Sequence, residues 1–74
     1  MHQHDDHEKL VVVLRHWMDH NRGHVDDFEK WAEKAKSSGH ESVSASILEA
    51  AQQMGKANEI LEEALSQLND SGGA

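Results

Sequence analysis

The sequence predicts an all-α protein built as a long antiparallel helical hairpin, and three observations carry that prediction. No proline occurs in 74 residues. Apolar residues recur in alternating steps of four and three along two stretches of similar length, the period of a helix with one buried stripe. Between the stretches stands Ser37-Ser38-Gly39-His40, where a glycine suited to a left-handed cap closes a helix.

The elements follow in chain order. Residues 1–4 are read as a flexible His-rich amino terminus, residues 5–69 as the hairpin domain and residues 70–74 as a disordered tail. Asp5 followed by Glu8 has the form of a capping box ahead of the first apolar run. The first seam then reads Leu10, Leu14, Trp17, Asn21, His24, Phe28, Trp31, Ala35, with Trp17 and Trp31 as core anchors. Lys34 and Lys36 favour the carboxyl end of that helix. The second seam reads Val43, Ile47, Ala50, Met54, Ala57, Leu61, Ala64, Leu68.

A turn centred on Gly39 makes the seams antiparallel neighbours and sets Trp31 against Ile47, Phe28 against Ala50 and Trp17 against Leu61. It also sets His24 against Met54, and Asn21 against Ala57 with Asn58 beside it. A hydrogen bond between Asn21 and Asn58 then supplies a register-setting polar layer. Gly23 is the weak point, because glycine inside a helix costs about 1 kcal/mol against alanine. The seam keeps its phase across Gly23, which favours a continuous helix; a kink there into three helices is the alternative. Val11, Met18, Val25 and Ala32 widen the apolar stripe by one position, as Leu48, Ile60 and Leu65 do on the second helix. Two helices of this size bury little, so the surplus predicts a homodimer in which two hairpins form a four-helix bundle.

Charge and composition exclude several functions. Acidic residues outnumber basic ones 14 to 7, giving net −7 with histidine neutral, and no basic cluster offers a nucleic-acid or anionic membrane surface. The longest apolar run, Leu10 to Leu14, is far too short to cross a bilayer, and the amino terminus lacks the order of a signal peptide. A cytoplasmic location is the expectation. With no cysteine, thiolate zinc sites and iron–sulfur clusters are excluded. No glycine-rich phosphate loop or serine–base arrangement is visible, so no enzyme is predicted.

Histidine is where packing alone explains least. Six of the seven histidines fall within the first 24 residues, and His16, His20 and His24 are spaced by four. Residues four apart on a helix share a face, and two imidazoles so placed can ligate one divalent metal. His20 and His24 form the candidate pair and His16 comes next; a straight helix cannot bring all three to one ion. Further ligands must come from elsewhere, such as Asp19, Asp27, the amino terminus, water or a second chain. Imidazole and carboxylate without thiolate suit nickel, zinc, cobalt or copper(II), of which nickel, zinc or cobalt is the expectation. The plainer alternative leaves these histidines solvated, with His24 a hydrogen-bonded core residue.

The run His16-Trp17-x-x-His20-Asn21-x-x-His24-x-x-x-Phe28-x-x-Trp31-Ala32 continues downstream as Ile47-Leu48-x-Ala50-Ala51-x-x-Met54 and Ala57-Asn58. This pattern resembles an uncharacterised family of small His-rich helical domains. Its members occur alone or attached to nickel-binding accessory proteins of carbon monoxide dehydrogenase maturation. The resemblance covers residues 7–68 and implies a nickel or related metal context, a metalloenzyme-maturation partner, and a role for His16, His20 and His24. Family members lack a glycine at the position of Gly23, a departure that bears on helix continuity. The functional expectation is a non-enzymatic metal-binding or metal-handling accessory protein. A structural interaction module without metal is the alternative.

Overall fold

Helix-forming residues run almost without a break on either side of Gly39, and the chain folds accordingly. The computed structural model describes the backbone of residues 2–73 and the side chains of residues 6–70. Helix α1 spans His2–Ser37 and helix α2 spans Glu41–Gly73. α1 begins three residues ahead of the capping box expected at Asp5 and Glu8. The expectations for Met1, for Ala74 and for the side chains of residues 2–5 and 71–73 lie outside the described residues. The backbone of residues 2–4 and 70–73, expected as flexible ends, is helical. α1 runs unbroken through Gly23, so the described residues form two helices and not three.

The turn is set by Gly39, whose φ of +85° only glycine adopts freely. The Gly39 amide donates to the Lys36 carbonyl at 3.0 Å and the His40 amide to the Ala35 carbonyl at 2.8 Å. Those two bonds define a Schellman motif and satisfy carbonyls that the end of α1 would leave open. Lys34 and Lys36 lie in the last turn of α1 and Glu41 in the first turn of α2, each matched to its helix dipole.

The helices pack along a seam rotated by one residue from the expected one. Leu14, Met18 and Ala32 of α1 and Ser44, Ala51 and Leu65 of α2 are buried. Trp17 is 49% exposed and Trp31 61% exposed, so neither anchors the core. Val11, Met18, Val25 and Ala32, expected to widen the stripe, instead form the seam together with Leu14, Asn21, Phe28 and Ala35. On α2, Ser44, Ala51 and Leu65 are buried and Asn58 lies in the seam, whereas Val43 and Ala50 are exposed and Ala57 and Ala64 are half-buried at its edge. Small residues at Ala32, Ser44 and Ala51 let the helices approach, where indole rings would hold them apart. Asn21 stands directly opposite Asn58, one residue from the expected register. The resulting rod measures 57 × 16 × 12 Å.

Candidate metal centre

Rotation of the seam turns one flank of α1, Leu10, Trp17, His24 and Trp31, away from the core. Seven-residue spacing keeps these four in line beside the helix–helix groove. The groove on this side is lined by Leu10, Leu14, Ala64, Gln67 and Leu68. The opposite side is lined by Arg15, Met18, Asp19, Arg22, Glu62 and Leu65 and is charged. Arg22 there holds an exposed ion pair with Asp19 at 2.8 Å. Such pairs contribute little to stability.

His20 and His24 come together on the apolar side. Their Nε2 atoms lie 2.9 Å apart, with ring planes at 88° and centroids separated by 4.4 Å. One Nε2–H therefore donates to the lone pair of the other ring. His16 stacks on His20 at a centroid distance of 6.2 Å with a 20° interplanar angle, one turn further from His24. The far side of His24 meets Phe28 at 5.8 Å, which limits the directions its ring can take. His24 is half-buried, whereas His16 and His20 are exposed. His24 does not sit in the seam against Met54; Asn21 and Val25 occupy the seam on either side of it.

The donor set can be tested against metal geometry. Two nitrogens bound to one ion at about 2.05 Å stand about 2.9 Å apart at a right-angle corner and about 3.3 Å apart at a tetrahedral one. The observed His20–His24 separation matches the right-angle corner. The pair therefore fits as two adjacent ligands of an octahedral or square-planar ion. Among the described residues, however, no group of three or more His, Cys, Asp or Glu side chains converges on one point. Asp19 and Asp27, considered as additional ligands, do not join the pair.

The polar layer has the expected partners, whereas the exposure of the two tryptophans departs from the expectation. Asn21 Nδ2 donates to Asn58 Oδ1 at 2.9 Å, and Asn58 Nδ2 donates to the Met18 carbonyl at 3.0 Å. The asparagine–asparagine bond was expected; its placement of Asn58, not Ala57, in the seam was not. Requiring each seam asparagine to face the other would have given the observed rotation directly. Lys34 Nζ lies 4.4 Å from the centroid of the Trp31 ring, a surface cation–π contact.

A two-helix rod with a paired-histidine flank defines the class of molecule. The chain belongs to the family described as a domain of unknown function, DUF8180, whose model matches residues 10–68. An uncharacterized protein of Archaeoglobus fulgidus is 38% identical over 58 residues, covering 78% of this chain and 92% of that protein. No solved structure matches the chain. No helix among the described residues is long and apolar enough to cross a membrane.

Proposed function

We propose that this chain is a small, non-enzymatic metal-handling protein of the cytoplasm. It takes a divalent transition metal (nickel, zinc or cobalt) on His20 and His24, with His16 as the adjoining imidazole. The observation that carries the reading is the 2.9 Å approach of the two Nε2 atoms on one helical face. Entry of a metal would break the Nε2–H···Nε2 bond and leave the donor ring's proton on its Nδ1, so that both Nε2 lone pairs turn to the ion. Imidazole ligands without thiolate suit these borderline ions. The resemblance to nickel-accessory domains supports nickel among them and a metalloenzyme in maturation as the protein's partner. Pairing of two hairpins into a four-helix bundle belongs to the same proposal, because two ligands alone hold a metal weakly.

Titration calorimetry with Ni²⁺, Zn²⁺ and Co²⁺ tests this against the variant His20→Ala/His24→Ala. Micromolar or tighter uptake by the native chain, reduced at least about tenfold in the double variant, is the expected result. Equal uptake by both removes the pair from consideration. The exposed Trp17 and Trp31 favour the second reading, an interaction module that works without metal. Binding weaker than millimolar by the native chain leaves that reading in place.

A further inference from the structure

The flank bearing His20 and His24 carries no net charge, and none at all on α2, in a chain with 7 basic and 14 acidic residues. Its α2 half, Val43, Ala50, Ala57 and Ala64 with Ile60 alongside, carries none. Its α1 half carries Asp6, Lys9, Asp27 and Lys34, two of each sign. Charge depletion with exposed aromatic residues is the composition of an interface core. Trp17, Trp31 and Ile60 are each about half exposed or more. The surface area points the same way. The chain exposes 5781 Å², against about 4,600 Å² for a compact protein of its mass. The excess of about 1,200 Å² exceeds the ~800 Å² that each partner of a standard stable interface buries.

The spacing of this flank selects the occupant. Trp17 and Trp31 each stand seven residues from His24, about 10.5 Å along the helix in opposite directions. A second α1 laid antiparallel on the flank, with a two-fold axis at His24, sets each chain's Trp17 against the other's Trp31. Ala50, Ala57 and Ala64 form a low floor beside the indoles, on which the second copy can seat. His24 of both copies then lies at the axis and His20 about 6 Å along the helix from it.

We infer that the flank Leu10–Trp17–His24–Trp31 is a self-association surface, and that its two-fold axis joins two His20–His24 pairs into one four-imidazole metal site. The inference rests on the metal reading above and supplies what a single chain lacks, since no third ligand lies within reach of the pair among the described residues. Four imidazoles complete a square or fill four corners of an octahedron, and each pair already has the separation of such a corner.

Sedimentation velocity of the full chain with Ni²⁺, with Zn²⁺ and with chelator, combined with metal analysis after dialysis, tests it. The expected species is a dimer of the 8.3 kDa chain, holding about one ion per two chains. Trp17→Glu/Trp31→Glu, at two exposed positions, is expected to be a helical monomer with metal uptake weakened about tenfold or more. A native monomer that binds one ion per chain through His20 and His24 overturns the shared site and leaves the metal reading intact. A dimer through the tryptophan face that takes up no metal overturns the shared site and the metal reading together. A dimer that survives the tryptophan substitutions overturns the surface.

The axis has its own test, because the chain has no cysteine. Under oxidised glutathione, His24→Cys should link two chains by a disulfide across the axis, whereas Arg22→Cys on the charged flank should not. Equal cross-linking of the two overturns the axis.

Discussion

Asn21 and Asn58 face each other across the seam, with Asn21 Nδ2 2.9 Å from Asn58 Oδ1, and this one bond fixes the register of the hairpin. Both side chains are partly buried, and Asn58 spends its own amide on the Met18 carbonyl. Neither is left without a partner. Shifting α2 by one residue would put Ala57 opposite Asn21 and strand an amide in an apolar groove, which costs about 1–3 kcal/mol. The asparagine pair therefore selects one of two nearly equivalent apolar stripes.

Substitution at this layer should be strongly non-additive. Asn21→Leu alone leaves Asn58 with an unmet carbonyl and is expected to destabilise by about 1–3 kcal/mol in urea unfolding. Asn58→Leu strands the Asn21 amide and should cost a similar amount. The double variant Asn21→Leu/Asn58→Leu should recover most or all of the loss, because an apolar pair needs no partner. Two single losses that simply add in the double variant would falsify a mutual bond as the basis of the layer.

Gly23 and Gly39 should separate by conformation. Gly23 is helical, and a Cβ added there meets nothing within 4 Å. Gly23→Ala should therefore raise stability by about 1 kcal/mol through helix propensity alone. Gly39 also has open space around it, but its φ of +85° disfavours any side chain. Gly39→Ala should lower stability by about 1–2 kcal/mol. Thermal unfolding at matched concentration distinguishes the two signs.

These residues also show how much of the fold was legible. The helical class, the hairpin and its turn were readable, because Gly39 and the uninterrupted seam phase each allow one local answer. The rotation of the helices was not, because two heptad stripes share Leu14, Asn21, Phe28 and Ala35. One stripe adds Leu10, Trp17, His24 and Trp31; the other adds Val11, Met18, Val25 and Ala32. Hydrophobic bulk favours the first, and close packing with polar matching favours the second. At the candidate site, the four-residue spacing foretold that His20 and His24 share a face. The ring rotamers that bring the nitrogens to 2.9 Å depend on side-chain packing against Phe28, which spacing alone does not encode.

Exposure of the indoles makes self-association visible in fluorescence. Trp17 at 49% and Trp31 at 61% exposure should emit as largely solvated indoles in the isolated hairpin. Concentration, or added Ni²⁺, should shift the emission to the blue as the flank is covered, following the dissociation curve from sedimentation. Trp31→Phe should keep a smaller shift from Trp17. Emission unchanged from nanomolar to millimolar chain would mean that the tryptophan flank stays open to water.

Among the three histidines, His20 should matter most for metal uptake, because it alone touches both of the others. Its ring lies 4.4 Å from His24 and 6.2 Å from His16, whereas His16 and His24 are two turns apart. His20→Ala removes every imidazole pair and should weaken Ni²⁺ binding about tenfold or more. His24→Ala leaves the wider His16–His20 pair and should retain part of the affinity. His16→Ala keeps the close pair and should change affinity by no more than about threefold. Acidification should weaken uptake in every case, since protons compete with the metal for the same lone pairs and binding releases them. Proton release measured in two buffers of different ionisation enthalpy checks the sign. An order in which His16→Ala is the most damaging substitution would move the site one turn toward the amino terminus and off the two-fold axis at His24.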